Sequence, residues 1–530
     1  MKKETLLGIV ISIAYFLFLI VQIPDYGITW DEPIQYTSGI AYANYFSGKP
    51  LVVGNISNVA NYGPFVDILG AYSYIVFSKN LGWTDPITAH RIPVALLAAL
   101  AVLVVYLFTL RNYNLFVAIS SALFLLIYPH FFAHAHFNVK DVPMAGLYTI
   151  AIILFYEATL RKSWKWSIGA GIVLGLAGAT KINAAFIPIT IVLWWVIAFR
   201  DSWRKNGKLV ISKRWDLLAS FLIAIPVTII AWPWLWHSTI AHIQGILKTF
   251  STVALGFVVF YFGQGYQSGV NVPWHYPFGY LAVVTPLIML IMAAIGFFIA
   301  CKDTASLKNR ASALVLVWFL VATLKISFSG LVYDGIRQFF EVVPALAILA
   351  GIGAWFCFRV FHGFAKNRLS PVKSQVAFGI ILLLLLWPTL NAMARLHPYE
   401  SSYHNALVGG TQGAVGKFRV SYWGEPIKAG IEWLNKNAEK NATVNVVEAP
   451  HLAIYYVRKD LNVVTGEGGN YVLTLNAFPT QPIYTVFADG VPILNIYKGN
   501  PNGNITPYDI MKSDDLFFKQ EMLSWKQECN

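Results

Sequence analysis

Long apolar stretches dominate the sequence, and they leave few folds open to it. Leu174–Phe199 carries a single charge, Lys181, and Ile380–Leu386 lies within another apolar stretch. A run of about 20 such residues crosses a bilayer as a helix, because a helix satisfies its backbone polar groups internally. Segments of this kind fall at about 5–23, 88–109, 113–131, 143–159, 166–179, 183–199, 216–236, 278–300, 311–325, 338–358 and 375–394. Only 12% of residues are charged, roughly half the share in a soluble domain. The first segment follows Lys2 and Lys3, as a signal peptide would. It is long and no small-residue cleavage site follows, so it is read as a span. The expected fold class is a polytopic α-helical membrane protein with about eleven transmembrane helices.

Orientation follows from lysine and arginine, which favour cytoplasmic loops. With the N-terminus inside, cytoplasmic turns hold Arg111, then Arg161, Lys162 and Lys165, then Arg200, Arg204, Lys205, Lys208, Lys213 and Arg214. Lys302, Lys308 and Arg310 follow, and finally Arg359, Lys366, Arg368 and Lys373. The net charge of +13 is thereby accounted for without nucleic acid as a partner. The chain is expected in the plasma membrane, with external loops at about 25–87 and 237–277 and a short one around 134–141.

After about residue 395 the chain turns polar, which divides it into a membrane domain, 1–394, and a small external α/β domain, 395–530. Glu425–Asn437 reads as an amphipathic helix. Thr443–Val447, Tyr471–Leu475 and Tyr484–Phe487 read as strands, and Asp489-Gly490 as a hairpin turn. The last twenty residues are charged and expected to be loosely held. Cys301, Cys357 and Cys529 form neither a disulfide framework nor a metal-binding cluster. The sequons at Asn55, Asn441 and Asn504 occur at a chance frequency.

Several charges stand where chemistry could use them. Asp31 and Glu32 follow the first helix, either as a solvated loop pair or as a general base for an acceptor hydroxyl or amine. His134 and His136, with Asp141 nearby, could bind a divalent metal, although the spacing matches no strong zinc pattern. Alternatively, the histidines are hydrogen-bonded packing residues and Asp141 orients substrate. Lys181 follows an apolar segment of about 14 residues, or ~21 Å of helix, too short for a ~30 Å core. The lysine therefore sits near or below the outer surface, where it either snorkels or meets an anion. Arg337 has Asp334 as a local partner and a phosphate as the functional alternative. Arg91 opens the second helix on the same side. His397, Tyr399 and Glu400 form either an interfacial belt or part of an acceptor or sugar site.

Together these residues resemble the protein O-mannosyltransferase family and its relatives, the lipid A aminoarabinose transferases, which share the GT-C membrane fold. The resemblance covers about residues 1–395. It rests on Asp31-Glu32, on Asp141-Val-Pro143, on Gly175-Leu-Ala-Gly-Ala-Thr-Lys181, and on Arg337 followed by Pro344-Ala-Leu-Ala-Ile-Leu-Ala-Gly351. In the tail, His397-Pro-Tyr-Glu400, Asn405-Ala-Leu-Val-Gly-Gly410, Tyr422-Trp-Gly424 and Asp489-Gly-Val-Pro492 are similar to the ends of bacterial and archaeal-type members. The tail does not resemble the β-trefoil of eukaryotic protein mannosyltransferases.

The resemblance implies an inverting transfer of sugar from a polyprenyl-phosphate carrier to a protein, lipid or glycan acceptor. It implies Asp31 as base, Glu32 and Asp141 as carboxylates that help place acceptor, sugar or a metal, and Lys181 and Arg337, with Arg91 as a further candidate, as holders of the carrier phosphate. No cofactor is required by that chemistry. The rival readings are a transporter or lipid flippase, which usually shows repeat symmetry absent here, and a non-catalytic scaffold. An oligosaccharyltransferase is disfavoured because the tail lacks a Trp-Trp-Asp-like signature.

Overall fold

The structure is a computed structural model and describes residues 3–57, 59–201, 215–466 and 468–499. Arg204, Lys205, Lys208, Lys213, Asn504, Cys529 and the last twenty residues lie outside the described residues, as does the side-chain and backbone placement of Arg214.

The membrane part begins with α1, Lys3–Gln22. The expected first external loop is largely helical: α2 spans Glu32–Phe46 and α3 Phe65–Ser73. Then come α4, Pro86–Asn112, α5, Leu115–Leu126, α6, Pro129–Phe137, and α7, Asp141–Arg161. They are followed by α8, Trp164–Gly178, α9, Phe186–Ala198, and α10, Trp215–Ile230. Helix α11, Thr239–Thr252, leads to a hairpin of β1, Val258–Tyr261, and β2, Gln264–Gln267. Four helices close the membrane part: α12, Tyr276–Val284, α13, Leu287–Ala305, α14, Arg310–Ser329, and α15, Val342–Ala365; α16, Pro371–Leu396, joins it to the tail.

Among the described residues, seven helices are long and apolar enough to cross a membrane, or eight if the α5–α6 pair, bent by 62°, counts as one span. The count differs from the apolar runs because several runs are broken by proline. Pro129 opens α6 at the bend, and Pro286 separates α12 from α13 within the segment expected as 278–300. Proline lacks the N–H that would carry a helix through these points. The segments expected at 166–179, 183–199 and 216–236 are the shorter α8, α9 and α10.

Helix α7 lies at the centre, almost wholly buried, whereas α1 and α16 turn most of their surface outward. Helices α13 and α15 pack backbone to backbone. A Cβ on Gly296 would collide with the Leu349 carbonyl, and one on Gly353 with that of Met292. Such close approach is the usual device where lipid offers no hydrophobic drive to association.

The tail holds α17, Ile427–Asn437, β3, Thr443–Val446, α18, Pro450–Tyr456, β4, Asn462–Val464, β5, Tyr471–Thr474, β6, Tyr484–Ala488, and β7, Val491–Lys498. The sheet order is β4-β3-β5-β7-β6, with β3 parallel to β4 and β5 and the other pairs antiparallel. Asp489 and Gly490 both have positive φ (47° and 81°) in the β6–β7 turn, the backbone that a tight hairpin favours. Arg395 grips Asp489 at 2.8 and 3.2 Å, tying the end of α16 to that turn.

Candidate active site

A cavity of about 730 Å³ opens between α7, α9, α11, α14 and the segment before α15, within the usual size of a small-molecule site. Asp31, Lys140, Asp141, Lys181, Lys325 and Arg337 all line it. The sequence scatters these six over about 300 positions, and helix ends bring them together.

Asp31 occupies the N-cap of α2, yet its side chain makes no capping bond. Instead its Oδ2 accepts from Arg337 Nη2 at 3.1 Å. Asp141 starts α7, where the positive end of a helix dipole favours a carboxylate. Asn138 fixes it by accepting from the Asp141 amide (2.7 Å) and donating to its Oδ2 (2.8 Å). Lys181 Nζ reaches Asp141 Oδ1 at 2.6 Å and the Arg337 carbonyl at 3.5 Å.

Arg337 is the hub. Its Nε donates to Asp141 (3.2 Å), its Nη1 to Asp334 (3.3 Å) and its Nη2 to Asp31 (3.1 Å). The guanidinium carbon lies 4.2 Å from the Trp423 ring centre and 5.2 Å from that of Tyr333. The local Asp334 pair exists, and the same guanidinium faces the cavity.

Three further groups had no signal strong enough to single them out. Lys140 Nζ binds Asp67 (2.7 and 2.8 Å) and the Gly63 carbonyl (2.6 Å). Lys325 pairs with Glu341, whose carboxylate also accepts from Asn183 at 3.2 and 3.3 Å. Tyr62 faces the Asp31–Arg337 pair, and burial pushes its phenol up to about 12. Arg419 adds a second cation on Asp334 at 3.1 Å. Each cation lining the cavity therefore already holds a carboxylate, and Arg337 and Lys181 keep further N–H donors beyond those pairs.

Other expected site residues lie elsewhere. Glu32 and Arg91 do not face the cavity: the guanidinium binds Glu32 twice (2.7 and 2.8 Å) and the carbonyls of Tyr26 (3.0 Å) and Gly27 (2.7 Å). Glu32 also accepts from Thr29 and Tyr36. This buried clamp shapes the loop that presents Asp31, and its donors are spent. His134 and His136 are engaged in packing and hydrogen bonding. His134 stacks on Phe340 (5.0 Å) and accepts from Trp423, whereas His136 stacks on Tyr26 (4.1 Å) and bonds the Phe132 carbonyl. Among the described residues, no group of three His, Cys, Asp or Glu side chains is arranged to hold a metal.

His397, Tyr399 and Glu400 sit at the junction of the first loop and the tail, away from the cavity lining. His397 bridges Glu400 (2.8 Å) and Asp25 (3.1 Å), and Tyr26 donates to Glu400 (2.7 Å). The Glu400 hydrogen bond raises the His397 imidazole above its ordinary value. Tyr399 is buried within electrostatic reach of Glu425.

Residues 71–234, which include Lys140, Asp141 and Lys181, match the family model for dolichyl-phosphate-mannose-protein mannosyltransferase. No curated protein matches the chain in sequence. The fold is similar to ArnT from Cupriavidus metallidurans bound to undecaprenyl phosphate, at 16% identity and a TM-score of 0.51, over 92% of this chain and 97% of that one. It is similar to the apo form at 15% identity and a TM-score of 0.52, with the same coverage. The oligosaccharyltransferase AglB from Archaeoglobus fulgidus gives a TM-score of 0.45 at 15% identity, over 81% of this chain and 58% of that one. The chain is thus a membrane protein with the fold of ArnT, and its residues 71–234 match the dolichyl-phosphate-mannose-protein mannosyltransferase family model.

Proposed function

We propose that this protein transfers a sugar from a polyprenyl-phosphate carrier to a protein, lipid or glycan acceptor on the extracytoplasmic face, with inversion at the anomeric carbon. The observation that carries this reading is the Arg337 guanidinium, which links Asp31 to Asp141 and, through Asp141, to Lys181 on one cavity wall.

The acceptor oxygen or nitrogen forms a bond to the anomeric carbon as the bond from that carbon to the phosphate oxygen breaks. The electron pair leaves with the lipid phosphate, and the acceptor proton passes to Asp31. A phosphate ester is already a stable anion, so its departure needs fixed positive charge rather than an acid. Lys181 and Arg337 supply that charge at the departing oxygen. Asp31 is the carboxylate of the group with an exposed edge, 38% of its side chain, and so the one suited to meet an acceptor. Asp141, fully buried between two cations, serves to place them. No cofactor takes part in the step as written.

Purified protein incubated with labelled polyprenyl-phosphate sugars and membrane extract should move label to an acceptor, and an Asp31→Asn protein should not. Passage of a labelled lipid or solute across vesicles by a protein that transfers no sugar would favour the transporter instead.

A further inference from the structure

The cation that binds the carrier phosphate in the proposed reaction is itself held by a residue from the external tail. Trp423 is 3% exposed, and its indole lies flat enough beneath Arg337 to bring the guanidinium carbon within 4.2 Å of its ring centre. Its Nε1–H donates to His134 Nε2 at 3.1 Å, which fixes the ring on the membrane domain. Phe137 packs at 5.7 Å and Tyr422 at 5.7 Å against the same ring. The Trp423 carbonyl accepts from the Trp30 amide at 2.9 Å, one residue before Asp31. One tail residue therefore touches both halves of the site: its side chain supports the phosphate-binding cation, and its backbone pins the loop that presents the base.

We infer that Trp423 is a positioning residue of the transfer reaction, acting through Arg337. The inference rests on the proposed function. The physical need is clear from the geometry. Arg337 is held in its plane by three carboxylates, of which Asp31 lets go when phosphate arrives. An aromatic face attracts a cation without offering a competing anion. It keeps the guanidinium in place while its partners exchange, and it leaves the nitrogens free to donate. A carboxylate in that position would oppose the phosphate. The external tail thereby becomes part of the catalytic centre rather than an appended module.

The test measures the dissociation constant of undecaprenyl phosphate on the full chain in nanodiscs, with melting temperature and donor KM and kcat alongside. Trp423→Leu removes the ring face and should weaken binding about 10- to 30-fold. KM for the donor should rise with it, both read on the folded fraction. Trp423→Phe keeps a smaller and weaker face and should cost about threefold. A purely structural role would lower melting temperature and active fraction at constant affinity, and that result overturns the inference. Should the leucine variant aggregate, the phenylalanine variant decides the matter: wild-type affinity there overturns it. Wild-type protein that binds neither undecaprenyl phosphate nor dolichyl phosphate overturns the proposed function, and the inference with it.

Discussion

Asp31→Asn separates the proposed chemistry from simple packing, because it should move binding and turnover in opposite directions. The substitution keeps the shape of the side chain and removes its charge. In the structure that charge sits 3.1 Å from Arg337 Nη2, on the nitrogen that a carrier phosphate would need. Asp141 is buried and Asp334 has Arg419 as a second partner, so Asp31 is the carboxylate most easily displaced. A partly exposed ion pair is worth ~1 kcal/mol. Relieved of that competition, the phosphate should bind about fivefold tighter. Turnover should fall by about 10²–10⁴, the usual contribution of a general base. Equilibrium binding of undecaprenyl phosphate to purified protein reads the first effect, and transfer of labelled sugar reads the second. Weaker or equal binding by the variant would refute the competition, and turnover near wild type would remove Asp31 as base.

Other perturbations should give distinct results. Lys181→Ala removes a cation and leaves Asp141 half-paired, so carrier binding should weaken, by about 2 kcal/mol or roughly 30-fold, in the same binding assay. Arg91→Ala breaks a buried clamp and should destabilise the fold by about 3–5 kcal/mol, read as a lower melting temperature before any effect on donor affinity of the folded fraction. Glu425 accepts from Ser401 at 2.7 Å, its second oxygen has no partner, and burial pushes its carboxyl up to about 7. A carboxyl raised in the fold contributes stability that is present below its unfolded value of about 4.5 and is lost as pH rises through about 7. Melting temperature should therefore decline across that window, and Glu425→Gln should flatten the decline.

Some of this site could be read from sequence because its cause was local. A short apolar segment ends at Lys181, which lines the cavity, and Asp334 lies within reach of Arg337 at a spacing of three. Adjacent acids were a harder case. Asp31 and Glu32 are neighbours in sequence, but successive positions at the start of a helix point about 100° apart. One consequently meets Arg337 and the other Arg91, 59 residues further on. No pattern in a single chain marks such a distant partner. The same holds for Lys140 with Asp67, 73 residues apart, and for Trp423 beneath Arg337. The histidines attract attention by type and spacing, and nothing in the sequence signals that they pack against Phe340 and Tyr26. In the fold, helix-forming runs were legible and their interruptions were less so, because hydropathy is continuous through Thr285-Pro286 while hydrogen bonding is not.

The interlocked glycines of α13 and α15 have a consequence for how a substrate is admitted. Helix α15 begins just after Arg337, and its backbone is wedged against its neighbour with no slack for a single added methyl. This seam is rigid and lies outside the cavity lining. The cavity lining is held by side-chain contacts instead: Asn61 meets Thr249 of α11 at 2.8 Å and Tyr62 rests edge-on against Phe250. Alanine at Gly353 should thus damage the rigid side, whereas changes along α11 should alter the pace of loading and release.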